Sequence, residues 1–259
     1  MTYLYFHLVF ILPVIFVFWH LRRQEAHLDL PLQKSGIAIL AMIAFVYTTP
    51  WDNYLVASQI WTYGEGRVLE SLVIGYVPIE EYMFFILQPI MTGTFLLLMA
   101  QRHHANTSTF GMARKRGRPA WAGAALFLLF SLFGLLCLKG LSEKFTYLGL
   151  ILTWACPVLA FQWFYGGGTL WQHRKLLREA VTFPTIYLWV VDMIAIEWRI
   201  WHILPETSTE WTIITLPIEE AIFFLVTNML VVQGLILFYQ LTAYLKIKQA
   251  GSAALNHGP

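Results

Sequence analysis

Two stretches of this chain carry the same chemistry in the same order. VPIEEYMFF runs from Val77 to Phe85 and LPIEEAIFF from Leu216 to Phe224. Each sets an adjacent glutamate pair, Glu80 with Glu81 and Glu219 with Glu220, between a proline and two phenylalanines. A carboxyl group in an apolar, poorly hydrated place has its neutral form favoured, and a second carboxylate nearby acts in the same direction. Such a group can serve as a general acid near neutral pH. Asp52, Asp192 and Glu197 lie in or beside apolar runs and are candidates for supporting acid and base roles. Aromatic side chains surround these positions: Trp61, Phe84 and Phe85 in one half, Trp201, Phe223 and Phe224 in the other. Aromatic faces stabilise cations. A proton donor beside aromatic faces in an oily pocket suits protonation of a hydrocarbon double bond and shelter of the resulting carbocation.

The elements that position these residues follow from composition. Of 259 residues, 58% are apolar and 12% charged, and the apolar ones lie in long runs. That pattern reads as membrane-spanning. Seven candidate spans cover roughly 3–21, 35–57, 78–100, 120–139, 146–165, 180–203 and 217–241. The fold class expected is an all-α polytopic membrane protein. Tyr3 to Leu21 lacks a basic leader and a small-residue cleavage site, so it reads as a helix and not as a signal peptide. Thr107 to Pro119 reads as a basic linker, Gly166-Gly167-Gly168 as the opening of another loop, and 251–259 as a disordered tail. Cys137 and Cys156 sit inside apolar runs with no disulfide framework or metal-ligand spacing around them.

Lysine and arginine set the orientation. Arg22, Arg23 and Lys34, then Arg102, Arg114, Lys115, Arg116 and Arg118, then Arg174, Lys175 and Arg178, then Lys246 and Lys248 all fall on one side if the N-terminus is outside. Arg67, Lys139 and Lys144 fall on the other. The positive-inside rule then puts the N-terminus out and the C-terminus in, within the cytoplasmic membrane.

The doubled motif belongs to an internal repeat. Asp52 and Trp61 are nine apart, as are Asp192 and Trp201. Pro13-Val14 with Trp19 resembles Pro157-Val158 with Trp163. Spans one to three therefore match spans five to seven. The fourth span restores the direction of insertion, giving a 3+1+3 parallel repeat. The corresponding units are 1–100, a basic loop and linker helix at 101–145, a second repeat at 146–245, and a flexible tail at 246–259.

Proline suits the first helical position, and glutamate suits the positive end of the helix dipole. An acidic helix start at the membrane interface is therefore the plain structural reading of each motif. Adjacent residues point about 100° apart on a helix, so one glutamate of each pair faces inward. Gln88 and Thr92 continue the Glu81 stripe, and Thr227 with Asn228 continues that of Glu220. Polar residues at membrane depth usually face the bundle interior, which favours Glu81 and Glu220 as the inward groups. Asp192 and Arg199 are seven apart on the expected sixth span and could form a buried ion pair.

The doubled P-x-E-E motif, each copy followed by FF, resembles the small integral-membrane lycopene cyclases. These occur as two three-helix subunits in some bacteria. In archaea, other bacteria and the N-terminal half of a fungal bifunctional protein they are fused. The likeness to the fused form covers about residues 1–245. It implies lycopene beta-cyclase activity: cyclisation of the linear ends of lycopene, through gamma-carotene, to β-ionone rings with no net redox change. It implies Glu80, Glu81, Glu219 and Glu220 as the catalytic glutamates. The implied steps are protonation at C2, attack of the C5=C6 bond on the C1 cation, and loss of the C6 proton to a carboxylate. One shared site and two separate sites both fit the sequence.

No G-x-G-x-x-G follows a strand, since Gly64-Glu65-Gly66 lacks the third glycine, so no flavin or nicotinamide is expected, and without metal-ligand spacing no metal is expected. Membrane lipid is the expected surrounding and no nucleic acid a partner; a homo-oligomer stays compatible with this reading. The alternative of another class is a proton-coupled small-molecule transporter of the same 3+1+3 plan, which would need polar groups along its whole path. A retinal photoreceptor would need a lysine in the middle of the last span, and Lys246 and Lys248 come after it.

Overall fold

The structure is a computed structural model and describes residues 1–23, 30–103 and 117–256. Most of the expected Thr107–Pro119 linker lies outside the described residues. Among those described, seven helices are long and apolar enough to cross a membrane.

The first span is α1 (Tyr3–Phe6), one π turn (His7–Ile11) and α2 (Leu12–Arg23). Pro13 has no N–H to close the α-helical ladder, and a widened turn beside a proline is a common accommodation. Then come α3 (Leu30–Ala57), β1 (Trp61–Tyr63), β2 (Val73–Ile74), β3 (Val77–Pro78) and α4 (Ile79–Arg102). Next are α5 (Arg118–Gly140), α6 (Thr146–Gln172) and α7 (Arg174–Glu197). The chain continues with β4 (Trp201–Ile203), β5 (Thr212–Ile213), β6 (Leu216–Pro217) and α8 (Ile218–Asn256). The span α4 is the most buried of the seven.

Short strands organise the connections at the motif end. β2 pairs with β3, and β5 with β6, as antiparallel hairpins that lead straight into α4 and α8. β1 pairs antiparallel with β4, Trp61 opposite Ile203 and Tyr63 opposite Trp201, and so ties the two connections together. One apolar cluster fills this end of the bundle. A second fills the other end, with Ile37, Leu96, Leu170, Leu176 and Leu235 among its members. Buried polar side chains, Thr94, Thr169 and Gln233 among them, lie in the far halves beside this aliphatic cluster.

The expected elements need four corrections. Pro78 ends a strand and caps α4 in the extended region, so each motif helix starts one residue later, at Ile79 and Ile218. The sixth span covers Arg174–Glu197 and not 180–203. Both α3 and α7 end in a non-glycine residue with positive φ, Gln59 at 54° and Arg199 at 53°. The Ile60 and Ile200 N–H groups reach back to the carbonyls of Leu55 and Ala195. That is the Schellman closure usually marked by glycine, and without a glycine the stop was invisible in the apolar pattern. Gly166, Gly167 and Gly168 lie buried within α6 and open no loop. A Cβ on Gly167 would sit 2.5 Å from the Ala120 Cα of α5, so the glycine permits a close helix approach. Finally, α8 continues through residues 246–256 of the expected tail; the last three residues lie outside the described ones.

Candidate active site

The first turns of α4 and α8 bring their glutamates to a common centre. Glu80 and Glu81, Glu219 and Glu220 occupy those first turns and all four are buried. The inner pair, Glu81 and Glu220, lines one cavity of about 40 Å³ together with Asp52 of α3 and Asp192 of α7. A cavity of that size exceeds what one water needs. Tyr3 of α1 donates its hydroxyl to Glu81 Oε2 at 2.8 Å, and Tyr147 of α6 donates to Glu220 Oε1 at 2.7 Å. Tyr63, beside β4, approaches Glu81 Oε2 at 3.4 Å. Burial, and then the neighbouring Glu81 carboxyl, push the Tyr63 phenol well above its ordinary range, so it stays a donor. Six helices thus supply one polar group each to a single chamber.

The aspartates differ in their partners. Asp192 Oδ1 accepts the Trp201 indole N–H at 2.9 Å. The Oδ2 atoms of both Asp52 and Asp192 are buried with no hydrogen-bond partner. The Oε2 atoms of Glu80 and Glu219 share that state, and each such group calls for an explanation. Arg199 makes no ion pair with Asp192, because the chain leaves the helix at Trp198 and Arg199 is exposed. Glu197 is also exposed and lines a surface depression with Met1, Arg67, Trp198 and Arg199, away from the chamber.

The outer glutamates reach different partners. Glu80 Oε1 accepts from the Leu69 N–H at 2.9 Å. Glu219 Oε1 accepts from the Thr209 N–H at 2.7 Å and its hydroxyl at 2.8 Å. Each one fastens the connection ahead of its own helix. His7 adds a further tie, donating Nε2–H to the Glu80 carbonyl at 2.8 Å. Replacing Glu219 by alanine leaves the buried Thr209 N–H unpaired and lowers stability by about 1–3 kcal/mol, and replacing Glu80, whose Leu69 partner is exposed, costs less. Thermal unfolding of the detergent-solubilised protein reads that loss; an unchanged midpoint would contradict the anchoring role.

Aromatic rings form most of the remaining wall. Trp61, Trp201, Phe84, Phe223 and Phe224 line the chamber, as do Trp51, Phe6 and Leu188. Trp51 stacks on Trp154 at 4.5 Å between ring centres, and both stack on Phe223. Phe85 faces a neighbouring groove between α3 and α6. Deeper along the glutamate stripes, Asn228 Oδ1 accepts from Gln88 at 2.7 Å and from Thr92 at 2.6 Å, and its amide donates to Thr185 at 3.0 Å. Thr227 instead returns its hydroxyl to the Phe223 carbonyl. This network locks α4, α7 and α8 together under the chamber.

Sequence reasoning missed Tyr3 and Tyr147. The signal was present: they are 144 residues apart, the same offset that relates Pro13 to Pro157 and Trp19 to Trp163. Among the described residues, no group of three or more His, Cys, Asp or Glu side chains could hold a metal ion.

Neither a protein-family model nor a solved structure matches the chain. Curated proteins do. The chain is 41% identical over 206 residues to the lycopene beta-cyclase of Halobacterium salinarum, which covers 80% of this chain and 83% of that protein. It is 36% identical over 209 residues to the bifunctional lycopene cyclase/phytoene synthase of Aspergillus oryzae, covering 79% of this chain. The corresponding protein of Aspergillus niger is 37% identical over 223 residues. The chain spans about a third of the length of those fungal relatives, 34% and 38% respectively.

Proposed function

The chain belongs to the lycopene cyclase family, and on that premise we propose that the chamber between the two motif helices is its active centre. The enzyme is a carotenoid cyclase that closes the linear end of lycopene to a β-ring. One observation carries the assignment of the centre: Glu81 and Glu220, from two copies of one motif, line the same cavity, and each is held by a tyrosine from a different helix.

The chemistry needs one acid and one base. One carboxylic acid of the chamber delivers a proton to C2 of the terminal C1=C2 bond. The C5=C6 π pair attacks the C1 cation and forms the C1–C6 bond, which leaves the positive charge at C5. A carboxylate then takes the C6 proton, and the electrons of that C–H bond become the C5=C6 bond of the β-ring. Protons balance and no electrons are gained or lost. Trp51, Phe84 and Phe223 offer π faces to the passing cation, and the apolar wall keeps water from trapping it. Asp52 and Asp192 support the glutamates as proton reservoirs. No flavin or nicotinamide enters these steps.

Tyr3 and Tyr147 position the reacting carboxyls. Tyr3→Phe and Tyr147→Phe each lower kcat about tenfold, roughly the 1.4 kcal/mol expected of one lost hydrogen bond to a reacting carboxyl. Steady-state assay with lycopene in lipid vesicles reads this, and full activity in both variants would refute the positioning role.

The two halves are read as a 3+1+3 parallel repeat, with units at 1–100 and 146–245 joined by 101–145. Matched hydrogen bonds support it. Tyr47 donates to the Trp154 carbonyl at 2.8 Å, and Tyr187 donates to the Phe10 carbonyl at 2.7 Å. Tyr187 is 140 residues after Tyr47, and Trp154 is 144 after Phe10. The charge asymmetry supports an outside N-terminus and residence in the cell membrane. Both halves being in one chain, the chamber needs no second subunit.

Expression in a bacterial host that accumulates lycopene tests the function. Extracted pigment should shift to gamma-carotene or beta-carotene. Unchanged lycopene, with the protein present in the membrane, would overturn the reading.

A further inference from the structure

Beside the chamber lies a second, larger cavity of about 170 Å³ between α3 and α6. Phe84 and Phe223 line both spaces, so these rings form part of the wall between them. Ile43 and Tyr47 line the groove and are 55% and 40% exposed on a face that meets lipid. Along α8 its lining runs from Phe223 to Val231, about 12 Å at 1.5 Å per residue. The groove therefore starts at the acid groups and descends along the bundle toward the middle of the membrane.

The repeat places an equivalent face between α2 and α7, and that face is closed. Phe18, Phe95 and Phe183 pack there, with ring centres 5.0 Å apart for Phe18 and Phe95 and 4.8 Å for Phe95 and Phe183. At the matching offsets of 144, 139 and 140, the open side carries Gln162, Gly234 and Ile43. Three phenylalanines on one side stand against a glutamine, a glycine and an isoleucine on the other. The asymmetry is thus written into the side chains.

We propose that the α3/α6 groove is the lateral portal of the enzyme and seats the polyene chain of lycopene, with one end of the molecule in the acid chamber. The inference rests on the cyclase reading above and adds to it where the substrate enters and how often. The occupant is fixed by chemistry: the substrate is dissolved in lipid, is long, linear and almost wholly apolar, and must place only its tip among the carboxyls. A portal into a single chamber admits one end per visit. Gamma-carotene must then leave and return reversed before a second ring can form.

A matched pair of substitutions tests the portal. Val158 lines the groove, and Val14 holds the corresponding place 144 residues earlier on the closed side. Both are half-buried. Val158→Trp should reduce lycopene conversion in vesicles by at least about tenfold, while Val14→Trp stays within about twofold of the wild type. Ile43→Phe with Gln162→Phe installs on the open side the rings that the closed side already accommodates, and should block it in the same way. Equal loss in both tryptophan variants, or loss only in Val14→Trp, overturns the portal. Timed extraction gives the second readout. Free gamma-carotene should precede any beta-carotene, whereas beta-carotene formed without released gamma-carotene overturns the one-end-per-visit scheme. An inert wild type would instead sink the cyclase reading itself, so the two failures are distinguishable.

Discussion

Glu81→Gln and Glu220→Gln each lower lycopene turnover by about a thousandfold, and each variant stays folded and inserted. Glutamine keeps the shape of the side chain and still accepts the tyrosine hydrogen bond. It cannot hold or release the proton that starts and ends ring closure. Removal of a positioned acid or base typically forfeits 10²–10⁴-fold in rate, about 3–5 kcal/mol of barrier. The loss is equally deep on both sides because one chamber uses both carboxyls. Pigment chromatography on membranes carrying each variant at matched protein level measures it. Retention of most activity in both would remove the glutamates from the chemistry.

The second large effect lies far from the carboxyls. Gly167→Leu drives a side chain into the Ala120 Cα, which a new Cβ already meets at 2.5 Å. Main chain cannot rotate aside as a flexible side chain can, so α5 must separate from α6. Overpacking of this kind costs about 3 kcal/mol. Within a bilayer, close contact is itself what joins helices, which adds to the damage. Neighbouring Gly166 meets only the mobile end of Leu237, and Gly166→Ala should be milder. Thermal unfolding in detergent ranks the two; an unchanged midpoint for Gly167→Leu would refute the close-packing account.

That glycine also shows where sequence reading stops. Three consecutive glycines normally announce a turn, and only the neighbouring helix turns them into a packing surface. The stop of α7 was hidden for the opposite reason. Arg199 takes the left-handed conformation that glycine usually signals, so the apolar run reads on to Ile203. Arg199 was thereby lifted out of the bundle and away from Asp192. Glu197 followed it to the surface. What the sequence does display is the bundle itself, because seven apolar runs of bilayer length leave few alternatives. The inner glutamates were legible from their polar stripes. Gln88, Thr92 and Asn228 do meet below them. The tyrosines were not legible, since a tyrosine near a membrane surface is ordinary. The repeat offset narrows the field, but it pairs Tyr47 with Tyr187 as well as Tyr3 with Tyr147.

Both halves are proposed to build one reaction chamber. Co-expression of Glu81→Gln and Glu220→Gln chains in lycopene-accumulating cells tests it most directly. Each chain then carries one intact motif, and two independent sites would leave a working site in every molecule. With one shared chamber the cells keep their lycopene, whether the two chains are expressed alone or together. Gamma-carotene or beta-carotene at about half the wild-type rate would contradict it and assign a separate active site to each half.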